Sequence, residues 1–490
     1  MPADMTVDTS FNSTLLVNPL PSLRHGVREA QRSGRTTVVS VSAPAPELDV
    51  VTLFERGQSV TADRYLWAQP DEDFALVGLG IARAIDVVEA TRFRQAADAW
   101  RHLMLGAIHE GPRTAGPGVG PILLGGFSFD TRRGDSRLWQ GYPPGHLVLP
   151  RLLFTRARGE SWVTYNTVVS AASDPDAEAA RLAALNHLLF EPDDLPWQAD
   201  QKPQRLGAPR PASITEHELR PADEWQADVA NAVRAIRRGE LEKVVLARAV
   251  QLQSEQPFSP ASALRHLMSH YPDCYLFAVA RGQSCFLGAT PEQLVRLRER
   301  EVKAMSLAGS IGRGQTREED ERLGRALLAS AKDRDEHAVV VRAMVEALGG
   351  VCSRLQVSET PELLKLGNIQ HLCTPLTGQL SDSHTLLDLV ERLHPTPAVG
   401  GRPRNAALQL IRECEKLDRG WYAGAVGWLD QEGEGEFCVA IRSALLHANE
   451  ATLFAGCGIV TDSDPEREYA ESRLKLRPML DALTALTAGE

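Results

Sequence analysis

Apolar positions along this chain follow two rhythms. Short β-branched or alternating runs at 36–41, 74–79, 122–129 and 147–154 predict strands in the first part of the chain. Trp225, Val229, Val233 and Ile236 then recur at helical spacing, Gly239 stops the helix, and the run KVVLAR at 243–248 predicts a strand. Further strands are predicted at 275–280, 285–289, 422–429, 437–446 and 452–455. Strands grouped around long helical stretches predict an α+β fold, with large β-sheets and helices packed outside, rather than regular βαβ alternation.

The same pattern divides the chain. Residues 1–20 are polar and unpatterned and read as a disordered N-terminus. Residues 21–190 form an N-terminal α/β portion, and 191–222, rich in Pro, Asp and Gln, read as a connecting segment. Residues 223–481 form a catalytic portion, and no internal repeat is present. With 490 residues and 43% hydrophobic content the chain can bury a large core.

Charge and cysteine usage narrow the class. A net charge of -11 without a basic stripe argues against nucleic-acid binding, whose main affinity term needs clustered Lys and Arg. No apolar run is long enough to span a membrane and no signal-peptide pattern opens the chain, so the cytoplasm is expected. Seven cysteines form no CxxC pair, and His371 with Cys373 is an isolated HxC, which reads as buried thiols rather than a zinc site.

Glycine patterns are mostly misleading here. Gly78 and Gly80 follow an apolar run, but the third glycine of a dinucleotide turn is absent. At 309–316 Gln315 stands where a phosphate loop needs lysine. Gly456 and Gly458 are better placed. They follow an apolar strand and precede an acidic helix, where bare backbone N–H groups could receive a carboxylate.

That acidic helix carries the strongest chemical signal. Asp464 can cap it and Pro465 suits its first turn, and Glu468, Glu471 and Lys475 then share one face. A second i,i+3 pair, Asp333 and Glu336, lies in a helical segment whose start at Thr316 reads as a capping box. A single acidic pair is usually a solvated face, but two such faces could pincer one Mg²⁺ and leave room for an anionic substrate. On a strand at 436–444, Cys438, Ala440 and Arg442 would alternate with Phe437, Val439 and Ile441, projecting the Arg442 guanidinium over small neighbours to grip a carboxylate.

Taken together, KVVLAR at 243–248, ATPE at 289–292, LAGS at 307–310, DRDEH at 333–337, QHL at 370–372, HPTPAVGG at 394–401, RGWYAG at 419–424, GEFCVAIR at 435–442, the 456–460 segment and 468–475 resemble the chorismate-utilising enzymes in motif order. The family includes isochorismate, salicylate, anthranilate and aminodeoxychorismate synthases. The resemblance is strong over 223–481 and reaches back to GGFSFD at 125–130 and LPR at 149–151.

The resemblance implies Mg²⁺ as cofactor and chorismate, a small dianion, as substrate. It implies Glu336 and Glu471 as metal ligands, with Asp333 and Glu468 behind them through water. Arg442, Tyr422 and the amides of Gly456 and Gly458 would bind the enolpyruvyl carboxylate, Lys475 would steady the ring carboxylate or the acidic cluster, and His371 would be a pocket residue. Lys243 stands where water-using members carry a lysine base and ammonia-using members a glutamine. Such a base works only if its pKa falls from about 10.4 toward neutrality. Ala308 stands where aminodeoxychorismate synthases place a nucleophilic lysine.

The expectation is therefore an isomerase of the isochorismate synthase type. Lys243 would activate water for attack at C2 and Glu292 would protonate the departing C4 hydroxyl, probing the ring from opposite sides. Menaquinone biosynthesis is the expected pathway, with siderophore biosynthesis open, and no glutamine amidotransferase partner is expected. Salicylate synthase is the alternative, since it shares both catalytic residues; Ala398 and Ser310 speak for release before pyruvate is lost. A non-catalytic chorismate-binding relative would have no need of Lys243 and Glu292.

Overall fold

The strand Gly145–Ala157 is where the architecture divides. One edge pairs along its whole length with Phe74–Val87. On the other edge its first residues pair with Ile122–Phe127 and its later ones with Glu160–Val169. Two antiparallel arms therefore leave one point. These statements come from a computed structural model, which describes residues 16–112, 116–132, 137–190 and 213–484. The expected disordered N-terminus, up to residue 15, and most of the expected connection, 191–212, lie outside the described residues.

The first arm runs from Phe74–Val87 through Arg64–Gln69, Tyr275–Arg281, Ser284–Thr290, Ser443–His447 and Glu450–Ile459 to Lys243–Ser254. The second runs from Ile122–Phe127 through Ala425–Asp430, Gly435–Val439, Gln293–Arg298 and Glu301–Gly312 to Ile369–Leu380. Phe277, Phe286 and Phe454 of the first arm share one buried cluster with Trp428, Val295 and Phe437 of the second. Helices Pro260–His270 and Pro465–Thr484 bury Leu264, Leu267, Leu476 and Met479 in a second cluster with Leu276, Leu446 and Leu453 of the first arm. Burying such side chains removes apolar surface from water at about 25 cal/mol per Å², which holds helices to sheet. The α+β expectation matches this architecture, and no described helix is long and apolar enough to cross a membrane.

Three local expectations need correction. The run at 437–446 is two strands, Gly435–Val439 and Ser443–His447, separated by a kink in which Arg442 has φ +51°. Gly456 and Gly458 lie inside the strand Glu450–Ile459, opposite Ala247 and Val245, and not in a turn after it. The helical segment opening at Thr316 is two helices, Arg317–Ala329 and Ala331–Gly349. Ser330 adopts extended backbone between them and its hydroxyl accepts from the Asp333 N–H, starting the second helix afresh. Thr316 caps the first helix through the Glu319 N–H, but the Glu319 carboxylate accepts from Gln315 rather than closing a capping box. Gly80, with φ +67°, sits inside the long strand Phe74–Val87 near a bulge, which removes any dinucleotide turn there.

Candidate active site

The strands Lys243–Ser254 and Glu450–Ile459 lie side by side and present Lys243, Val245, Gly456 and Gly458 to one cavity. Past Phe454 the neighbouring strand Ser443–His447 has ended, so that edge of the strand has no strand partner among the described residues and faces the cavity. The helices Ala331–Gly349 and Pro465–Thr484 supply Glu336, Glu471 and Lys475, and the strand Ile369–Leu380 supplies His371. Glu292, Tyr422 and Arg442 complete the lining from segments outside regular strands. Asp333 and Glu468 lie three positions before Glu336 and Glu471 on the same helices and are not among the lining residues.

The glycines are explained by what surrounds them. A Cβ on Gly458 would fall 2.2 Å from Glu336 Oε1 and 2.8 Å from Lys243 Cε, and one on Gly456 would fall 3.1 Å from the Tyr422 hydroxyl. Bare backbone at these two positions makes the space in which the functional side chains meet. Tyr422 stacks on Phe454 at 5.1 Å, and burial pushes its hydroxyl up to about 12, so it is a hydrogen-bond donor at neutral pH.

Opposite charges are closely interleaved. Lys243, fully buried, has its Nζ 2.9 Å from Glu336 Oε1; Lys475 lies 2.7 Å from Glu471, and Lys332 lies 2.8 Å from Glu468. Burial opposes the charge of Glu471, but Lys475 outweighs it and holds the carboxyl below its usual range. For Glu468 and Asp333 burial prevails, reinforced in Glu468 by Glu471, and both carboxyls are raised. Glu292 is the outstanding acid. Burial pushes it up to about 7 against the pull of Lys243, Arg442 and Lys475.

Glu292 is held through its backbone. Its N–H donates to Thr290 Oγ1 at 3.2 Å, and its carbonyl accepts from the Val439 N–H at 3.0 Å. The strand Gln293–Arg298 opens with a register shift between Gln293 and Val295, a device that re-aims side chains. Arg442 is aimed by its left-handed backbone rather than by strand alternation, a strained state that persists where surroundings fix it. Its carbonyl accepts from the Ala289 N–H, tying the kink to the segment that carries Glu292.

Sequence reasoning missed the support beneath this site. Glu415 and Arg419 form a buried ion pair; Glu415 also accepts from the Ala247 N–H at 2.7 Å, and Arg419 donates to the carbonyls of Val245 and Val399. This pair fastens the Lys243 strand to the 394–401 segment, and it lies in irregular chain beyond the helix Arg404–Cys414, where no helical spacing announces it. Nor does local sequence announce the part played by Lys332, which rests on a contact 136 residues away.

The donor set suits a hard divalent cation. Ligand atoms of Glu468, Glu471 and Cys457 lie within 4.8 Å of one another. Burial raises the Cys457 thiol well above its ordinary value, and its Sγ is occupied with the Glu468 carbonyl at 3.2 Å, which leaves carboxylate oxygens as the useful donors. Glu336 and Glu471 present such oxygens to the cavity, and the missing Cβ of Gly458 leaves the room Glu336 needs.

The chain belongs to the chorismate-binding enzymes: the family model described as "Chorismate binding enzyme" matches residues 25–484. Two relatives that it matches along nearly its whole length are isochorismate synthases. It is 39% identical over 476 residues to the salicylate biosynthesis isochorismate synthase of Pseudomonas aeruginosa, covering 96% of each chain. It is 36% identical over 483 residues to the isochorismate synthase MenF of Bacillus subtilis, covering 98% of each. The solved structure of the menaquinone-specific isochorismate synthase MenF of Escherichia coli superposes with a TM-score of 0.74 at 27% identity, over 94% of this chain and all of that one.

Proposed function

We propose that this chain is an isochorismate synthase, an isomerase that moves the hydroxyl of chorismate from C4 to C2 with a shift of the ring double bonds. The observation that carries the reading is the joint presence in one cavity of Lys243 and of a Glu292 carboxyl raised to about 7. Lys243, held 2.9 Å from Glu336, takes a proton from the attacking water once its amine has given up its own proton. Glu292 is protonated in a large share of molecules near neutrality and gives its proton to the departing C4 oxygen. Water is consumed and released, so the step is a net isomerisation.

Binding falls to the cationic side of the cavity. Arg442, buried beside Tyr422, receives the enolpyruvyl carboxylate, with the edge at Gly456 and Gly458 beside it. Glu336 and Glu471 would hold Mg²⁺, with Asp333 and Glu468 behind them, and Lys475 steadies Glu471. When bound, the cation would neutralise the ring carboxylate of the substrate. Ala308 lines the cavity where a lysine would be needed for a covalent route.

The Pseudomonas aeruginosa relative is named for salicylate biosynthesis and the Escherichia coli structure is titled menaquinone-specific, and this chain is matched along nearly its whole length by both. The proposed role is menaquinone supply in the cytoplasm, in keeping with seven cysteines that are all free. Chromatography of chorismate, Mg²⁺ and enzyme over time tests the activity. Isochorismate should accumulate beside chorismate, with no anthranilate when ammonium is added. Stoichiometric pyruvate and salicylate would overturn it.

A further inference from the structure

Far from the cavity, His266 and His270 stack face to face on the helix Pro260–His270, with ring centroids 4.0 Å apart and planes 14° from parallel. Four residues separate them, so both project from one face of the last helical turns. His270 is exposed and His266 half-buried. Donor inventory shows which nitrogen His270 has to offer. Its Nδ1 lies 2.9 Å from the His266 carbonyl oxygen and 2.9 Å from Ser269 Oγ. The serine hydroxyl gives its own proton to that same carbonyl at 2.9 Å. Both oxygens facing Nδ1 are therefore acceptors, so Nδ1 carries the imidazole proton and Nε2 keeps its lone pair. A ring tied to a backbone carbonyl through one nitrogen, with the other left bare, is how metal-ligating histidines are held.

His266 is free to match it. Neither of its ring nitrogens makes a hydrogen bond among the described residues. Burial, and after it His270, hold its imidazole below the ordinary value against the pull of Asp481, which favours the neutral ring that coordinates a metal. Charge points the same way. The pair occupies the C-terminal turns of its helix, whose carbonyl end attracts cations. Asp481, exposed on the helix Pro465–Thr484 that packs alongside, has no hydrogen-bond or ion-pair partner among the described residues.

We propose that His266 and His270 form a binding site for a borderline divalent transition ion of the Zn²⁺ class, with Asp481 turning in as a third ligand. Two imidazoles at i,i+4 on one helical face chelate such ions, whereas Mg²⁺ prefers oxygen donors, so the site does not compete with the carboxylates of the cavity. Asp481 stands ten residues past Glu471 on the same helix, about 15 Å along its axis. A bound ion therefore staples the helix Pro260–His270 to the far end of the helix that carries Glu471 and Lys475.

The test uses the full chain in excess Mg²⁺, which fills the oxygen-donor site, and compares it with His266→Ala, His270→Ala and Asp481→Asn. By calorimetry the wild type should take up one more equivalent of Zn²⁺ than either histidine variant, and Zn²⁺ should raise its Tm more than theirs. Cu²⁺ gives a second reading. Its electron paramagnetic resonance spectrum in the wild type should show hyperfine structure from two nitrogens, lost in each histidine variant. Equal Zn²⁺ stoichiometry in the wild type and both histidine variants, or a Cu²⁺ spectrum that neither variant changes, overturns the site. Asp481→Asn should bind Zn²⁺ about tenfold more weakly, and undiminished affinity there overturns the third ligand and with it the staple.

Discussion

Lys243 and Glu336 meet across the floor of the cavity, Nζ to Oε1 at 2.9 Å, directly over the backbone of Gly458. The lysine comes from a strand and the glutamate from a helix 93 residues later, and neither could be joined to the other from local sequence. Lys243→Ala should lower kcat by at least about 10²-fold, the lower range for a positioned base, while chorismate still binds through Arg442. Near-normal turnover in that variant would remove Lys243 from its role.

Gly458→Ala probes the same meeting point from beneath. The new methyl would lie 2.2 Å from Glu336 Oε1 and 2.8 Å from Lys243 Cε, so both must move. Activity should fall by about 10²-fold, a loss typical of displaced catalytic groups, while the far-ultraviolet circular dichroism remains that of the wild type. A fully active Gly458→Ala would show that the contact between lysine and glutamate is dispensable.

Removal of divalent cations with excess EDTA should abolish turnover, and added Mg²⁺ should restore it. Glu471→Ala should be inactive at any practical Mg²⁺ concentration yet unfold at a temperature close to the wild type, because its carboxylate faces the cavity and packs little. Full activity in EDTA would overturn the metal assignment.

The pH profile follows from Glu292. A general acid must be protonated to act, and burial places its midpoint at about 7, so the limb of kcat/KM that Glu292 controls should fall as pH rises through that value. In Glu292→Gln the rate should drop at least about 10²-fold and this limb should vanish. A limb that survives the substitution belongs to another group.

Glu436 offers a stability counterpart away from the cavity. Burial raises its carboxyl from 4.5 to about 7, against the pull of Arg296 and hydrogen bonds from Gln293 and Tyr275. The native state then holds a proton that the unfolded chain has released, so its contribution to stability falls as pH rises from about 4.5 through about 7. Glu436→Gln should therefore lose this part of the dependence, and its stability relative to wild type should improve between pH 5 and pH 8. Denaturant titrations at the two pH values read the difference, and a parallel pair of curves would refute it.

Much of the site was legible because its parts are short, chemically unusual strings: KVVLAR around Lys243, ATPE around Glu292 and the acidic helix carrying Glu471. Each lies on an element whose local signals were clear, including the Asp464 cap, whose carboxylate accepts from the Arg467 N–H at 3.0 Å. The kink at Arg442 was not legible, since 437–446 reads as one largely apolar run and positive φ at an arginine has no composition signal. In sequence the glycines at 456 and 458 read as bare N–H groups beyond the end of a strand, although their role is also steric and depends on Glu336 and Tyr422 arriving from elsewhere. Nor does periodicity in single strands show a sheet that forks at Gly145–Ala157.

That fork separates chemical inventory from foldability. Among the described residues, those lining the cavity all come from 243 onward. Yet Ala425–Asp430 is zipped to Ile122–Phe127, Tyr275–Arg281 to Arg64–Gln69, and Phe454 stacks on Trp139 at 5.6 Å. A gene fragment spanning 223–481 would encode every proposed catalytic group and also three naked β-edges, since Lys243–Ser254 would lose Ile214–Glu218 as well, and such edges are surfaces on which chains recruit one another into aggregates. For the same reason a chimera that joins this half to the other half of a distant relative would inherit the right reagents in a vessel whose seams do not match.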